Sequence, residues 1–275
     1  MASRELAASS VQPKPGTLFW QMLHAETKKL TRRKGVMAFT IIGTVGAIVI
    51  TFAILEIYHL SNPLKYTSIG GISGFDKVIA ILGQVTIIPA SILGTTAGSQ
   101  DMESGVIRDL IVTGRSRTSI FLLRLQGAVI VWAIPLIIAL LIGLAIVYGL
   151  AGGNKVPSVS LAVGGALYCI GVSLVYVITA AGFASLFGTR GPAIAIMIGW
   201  TFVIEAILVN VSALGPVRDV FLTTAISSLS PVADRARHFQ AVGLSPSLFE
   251  DYVVIIAWPL VMNVLGWFRG HRLEA

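Results

Sequence analysis

Six runs of 17 to 27 residues, almost free of charge, dominate this sequence: 36–58, 78–98, 127–151, 161–187, 192–214 and 252–268. A hydrocarbon layer about 30 Å thick is crossed by roughly 20 apolar residues as a helix. Backbone polar groups in lipid must be paired within the segment or in a closed barrel, and these runs lack the alternation of barrel strands. The expected fold is therefore an all-α integral membrane protein with six transmembrane helices. Composition agrees. With 55% hydrophobic residues and a mean hydropathy of +0.84, the 275-residue chain carries more apolar surface than a water-soluble core of its length hides.

Lys and Arg are distributed unequally about the six runs. Fourteen fall on the side that holds both chain ends and the segment near Arg108 to Arg124, against six on the other side. Positive charge is retained in the cytoplasm, so both termini are expected there. The first 35 residues hold no short apolar core before a small-residue cleavage site, so they do not read as a secretory signal. A net charge of +7 would suit nucleic acid, but the basic residues cluster at the ends of the apolar runs, where anionic lipid headgroups attract them. No nucleic-acid partner is expected. Cys169, the single cysteine, lies inside the fourth run and reads as a small hydrophobe.

Residues 1–16, with Pro13, Pro15 and Gly16 near their end, read as a disordered cytoplasmic tail. In 17–34, Phe19, Trp20, Met22, Leu23 and Leu30 recur at helical spacing, while Lys28, Lys29, Arg32, Arg33 and Lys34 gather towards the first run. This is the pattern of an amphipathic helix lying in the membrane interface. On the far side, 59–77 is glycine-rich, 152–160 is short and 212–251 is long. Within that last loop 220–229 is apolar but too short to cross, so a re-entrant or surface-lying helix is expected.

Few chemistries fit. The dipeptide Gly-Lys is absent, so there is no phosphate-cradling G-x-x-x-x-G-K-[ST] loop, and no H-E-x-x-H pair suggests a metal. Gly71-Ile72-Ser73-Gly74 matches the G-x-S-G of rhomboid-type proteases, but the last run has no His to activate Ser73. Glu205 is an acid deep in a run, where a charge costs at least ~2.5–3.5 kcal/mol. It reads either as a translocation or gating residue or as a hydrogen-bonding partner of a neighbouring helix. Pro89, Pro135 and Pro259 fall inside runs, and Gly94 and Gly98 form a G-x-x-x-G pair.

Charge reappears between the second and third runs. There Met102, Val106, Ile107, Leu110 and Ile111 fall on one helical face, Asp101 and Glu103 stand at its start, and Arg115 and Arg117 follow its end. A short cytoplasmic helix with an apolar face over 99–119 is expected.

These residues resemble a known loop. Glu103-Ser104-Gly105-Val106-Ile107-Arg108, then Leu110-Ile111, Thr113-Gly114-Arg115-Ser116-Arg117 and Leu123-Arg124, look like the loop between spans two and three of type-2 ABC transporter permeases. Val106 stands where Thr is more usual and Gly114 where Pro is frequent. The basic amphipathic segment, the six runs, Trp200 and Glu205 in the fifth, and the long loop before the sixth follow the same order. The resemblance implies a bacterial plasma-membrane permease that pairs with a second copy or a related permease and binds two separate ATPase subunits. ATP and magnesium would bind in those subunits, with no cofactor held by this chain. Asp101, Met102, Glu103, Gly105, Val106, Arg108, Leu110 and Ile111 would form the coupling helix, and Phe19, Trp20, Leu23, Lys28 and Arg32 the interfacial helix. The implied activity is non-catalytic export of a hydrophobic or amphipathic drug, antibiotic, lipid or peptide. A membrane-embedded enzyme and a stand-alone secondary transporter are the alternatives.

Overall fold

The computed structural model describes residues 15–66, 68–106, 116–232 and 247–272. The expected tail up to residue 14, and 107–115 at the heart of the charged loop, lie outside the described residues, so Arg108, Leu110 and Ile111 receive no structural account.

Among the described residues every regular element is helical. In chain order they are α1 (Pro15–Thr31), α2 (Lys34–Ser61), α3 (Gly71–Gln84), α4 (Ile87–Glu103), α5 (Arg117–Gly149), α6 (Val159–Phe187), α7 (Arg190–Leu208), a 3-10 turn at Ser212–Val220, α8 (Leu222–Ser228) and α9 (Leu248–Arg272). With α3 and α4 taken together, six are long and apolar enough to cross a membrane. The chain is thus an all-α protein with the form of a multi-pass membrane protein.

Hydropathy placed the span ends with varied accuracy, for identifiable reasons. The second span begins at Gly71 rather than 78, because Asp76 and Lys77 end the apolar run while Phe75, Val78, Ile79 and Leu82 already share one buried face. It breaks between α3 and α4, so Pro89 sits in the first turn of α4, where its missing N–H costs no helical hydrogen bond. The third span starts at Arg117, where Ser116 caps the helix by accepting from the Ser119 N–H. The fifth ends at Leu208, short of the expected 214, and the sixth is longer than 252–268 at both ends.

α6 is the central post of the bundle. The G-x-x-x-G pair on α4 lies directly against it: a Cβ on Gly94 would stand 2.2 Å from the Val177 carbonyl oxygen, and one on Gly98 2.1 Å from that of Ala181. On another face of α6, Gly182 meets the α9 backbone at Asn263, and a Cβ on Gly266 would reach the Gly182 oxygen at 2.6 Å. Gly98→Ala is therefore expected to push α4 off α6 and lower stability by about 1–3 kcal/mol, seen as a fall in thermal unfolding temperature in detergent. Gly164→Ala, with open space around its Cβ position, is the control and should hold or slightly raise that temperature, since alanine favours the helix.

At one end of the bundle the connections are tied together by the Ile72 N–H donating to the Lys155 carbonyl (2.9 Å) and by Asn154 donating to Ser68 Oγ (2.6 Å). The opposite end carries α1, the end of α4, the start of α5 and the α6–α7 turn, and it holds most of the basic residues among the described ones.

Candidate functional site

At the basic end, α1 packs along the first turns of α5, so closely that a Cβ on Gly127 would approach that of Glu26 to 2.9 Å. Leu23 and Leu30 are buried beneath α1, whereas Trp20 is 67% exposed and Phe19 also faces outward. Their rings meet edge to face at 5.6 Å. Lys28 and Arg32 are exposed as well. The helix therefore has one face on the bundle and an outer face that mixes aromatic rings with cations.

Asp101 joins α1, α4 and α5. Its Oδ2 accepts from Arg124 Nε at 2.9 Å, and Lys29 Nζ lies 3.3 Å from Oδ1 and 2.6 Å from Glu26 Oε1. Asp101 is 3% exposed and Arg124 5%. Burying a carboxylate and a guanidinium is tolerable only when each satisfies the other, and the Arg124 bond with the Lys29 contact does this. The sequence placed Asp101 and Glu103 at the start of a cytoplasmic helix. They lie instead at the C-terminal end of α4, which Ser104 and Gly105, at φ +71°, bring to a stop. Asp101 thus faces inward as an anchor and offers no free carboxylate to an outside partner. Arg124, expected at the membrane surface, is its buried counter-ion.

The neighbouring residues divide between inside and outside. Glu103 accepts a hydrogen bond from the Arg190 backbone N–H, holding the α4 end to the first turn of α7. Met102 approaches α9, its Cε lying 3.8 Å from where a Gly270 Cβ would be. Gly105 has open space about it and Val106 is exposed. Of the expected coupling residues that are described, Asp101 and Glu103 tie α4 to its neighbours and Met102 lies near α9, while Gly105 and Val106 are exposed.

Burial pushes the Glu26 carboxyl above its ordinary pKa of 4.5, against the opposing pull of Lys29. The ionised acid is thus a net cost to the folded state at neutral pH, a cost that vanishes as the pH falls below 4.5. Glu26→Gln should therefore raise thermal stability at pH 7 to 8 and lose that gain below about pH 4.5, as a pH series of melting curves will record.

The second polar centre surrounds Glu205, which is 1% exposed. Residues 200–204 form one π-helical turn, which rotates Trp200 so that its Nε1 donates to Glu205 Oε1 at 2.6 Å. The Thr223 N–H donates to Oε2 at 3.0 Å, and the Thr223 hydroxyl donates to the same oxygen. The Tyr176 hydroxyl stands 3.5 Å from Thr223 Oγ1, about 16 Å along α6 from its Phe187 end. The apolar stretch of the long loop thus turns back into the bundle: Leu222, Thr224, Ala225 and Ile226 of α8 are buried. Trp258 donates to the Val220 carbonyl at 3.0 Å, tying the end of the 3-10 turn to α9, and Ser228 donates to Asp251 Oδ2 at 2.5 Å, fastening α8 to α9. Of the two sequence readings of Glu205, the hydrogen-bonded one is what the geometry displays. Thr223 is the partner that sequence reasoning missed, since nothing in its surroundings marks it.

Beside Glu205, between α6, α7 and α9, is a cavity of about 250 Å³ walled by Phe183, Met197, Trp200, Trp258 and Met262. Searches with models of known families and against curated proteins return no match to this sequence.

Proposed function

We propose that this chain is the permease subunit of an ATP-driven exporter, carrying a hydrophobic or amphipathic compound across a plasma membrane with both termini in the cytoplasm. ATP is hydrolysed in separate subunits bound at the basic end, and two permease chains form the path. The observation that carries this reading is the buried Asp101–Arg124–Lys29 junction. It welds the interfacial helix, the end of the second span and the start of the third into one block immediately beside the loop that resembles a coupling helix. A push on that loop moves three helices together, as a lever requires, and switches access by shifting between two packed arrangements. The exposed Val106, at the point where the chain leaves this block, supplies apolar surface for a partner.

The test is transport by the chain reconstituted in liposomes with the ATPase expressed beside it, across a panel of apolar and amphipathic compounds. ATP-dependent movement of at least one compound is expected, abolished by a Walker-motif mutation in the ATPase. Movement that follows an ion gradient and ignores ATP would instead make the chain a secondary transporter. Glu205→Gln keeps one acceptor oxygen, enough for the two Thr223 donors but not for the Trp200 indole as well, so it should assemble with a modestly lower unfolding temperature while transporting several-fold more slowly. Wild-type rates would leave Glu205 a purely structural role.

A further inference from the structure

We infer that the outer face of α1 is a docking surface for anionic phospholipid headgroups, with His24, Lys28 and Arg32 as the headgroup ridge and Trp20 as the ring that enters the lipid. This goes beyond the exporter reading and does not depend on it.

The charges of α1 are sorted by face. Its single acid, Glu26, lies on the bundle side and holds Lys29, which also reaches Asp101. His24, Lys28 and Arg32 are exposed and stand four residues apart, so they form one ridge on the outer side. Arg32 keeps this register although it follows the last helical residue, because its N–H still donates to the Lys28 carbonyl at 3.1 Å. Among the described residues no carboxylate lies within ion-pair distance of Lys28 or Arg32. Like charges four residues apart repel one another along a helix, and an anion from outside relieves that repulsion.

Two positions set this ridge at the membrane boundary. Glu26 packs against Gly127, where the third apolar run begins, and the first span opens at Lys34, three residues past the end of α1. At that level the outer face of α1 meets headgroups, and each Lys or Arg near an anionic leaflet gains about fivefold in affinity. Trp20 supplies the other half of the match. It is 67% exposed, one helical turn before His24, with the half-exposed Phe19 ring against it. An indole at this depth places its ring among the upper acyl carbons and its N–H towards water. The acidic surface of a protein would answer the charges, but the aromatic pair beside them and the depth of α1 favour lipid.

The test compares phosphatidylglycerol with phosphatidylcholine, titrated into the full chain in mild detergent and counted by native mass spectrometry. Phosphatidylglycerol is expected to bind at least tenfold more tightly and to raise the unfolding temperature where phosphatidylcholine does not. Lys28→Gln with Arg32→Gln should erase both the preference and the gain, while unfolding in phosphatidylcholine at the temperature of the unchanged chain. Lys65→Gln with Lys155→Gln, exposed at the opposite end, should keep the preference. Phosphatidylglycerol brominated near the top of its acyl chains should quench a fluorescence component that Trp20→Phe lacks. If the Lys28 and Arg32 double variant does not fold, the lipid preference and the quenching of the unchanged chain decide the matter alone. Equal affinity for the two lipids, a preference that survives the double variant, or an unquenched Trp20 would each overturn the inference. A double variant that keeps its lipid preference but loses a co-purifying acidic protein would give the face to that protein instead.

Discussion

Asp101→Ala is expected to destabilise the protein by about 3–5 kcal/mol, because it strands the Arg124 guanidinium in a buried position without its carboxylate. The loss should appear as a large drop in thermal unfolding temperature in detergent and as poor recovery from the membrane. The same substitution releases Lys29, so α1 should loosen from the bundle and become more readily cleaved by added protease. Asp101→Asn, which keeps an acceptor but not the charge, should fall between. Replacing both partners, Asp101→Ala with Arg124→Met, should recover part of the stability, since a missing pair costs less than an orphaned charge. An unfolding temperature for Asp101→Ala equal to that of the unchanged protein would show that the junction does not hold the three helices.

Val106→Asp should have the opposite profile. Val106 is 37% exposed at the end of the described segment, so a carboxylate there reaches solvent and the unfolding temperature should fall far less than for Asp101→Ala. If the loop seats in a groove of an ATPase, however, a charge in the apolar contact should weaken association at least tenfold, and ATP-driven transport should fall to background. The comparison matters because altering Asp101 also disturbs association, but through the fold. Loss of partner binding with intact stability is the signature of a contact residue, and Val106 is placed to give it. Retained association would move the contact elsewhere in the loop.

The architecture was legible because the bilayer imposes a length on each helix, and six apolar runs of that length leave little freedom. The amphipathic α1 was legible for a related reason, its apolar residues falling at helical spacing beside a cationic cluster. Helix ends were harder. Asp76 and Lys77 hid the first turns of α3, whose buried face is visible only by spacing. The opposite error occurred at Asp101, where acids before an apolar stretch suggested a helix start, although Ser104 and Gly105 put a helix end there. The pairing of Asp101 with Lys29 and Arg124 joins residues 72 and 23 positions apart, and no local pattern reveals it. Likewise Glu205 announced itself as a buried acid, but its partner Thr223 comes from a loop whose inward path is set by packing on Tyr176 and Trp258. The close approach at Gly94 and Gly98 was written in the sequence as spacing alone, and the carbonyls of Val177 and Ala181 give it physical content.

The most direct test of the exporter account is to purify the tagged chain from its native membranes under mild conditions and to identify what remains bound. The account predicts a subunit bearing nucleotide-binding motifs, in equal number to the permease chain, whose ATPase activity co-elutes and is lost with Val106→Asp. A chain that elutes without any nucleotide-binding subunit, while folded and still able to move its compound, would contradict it.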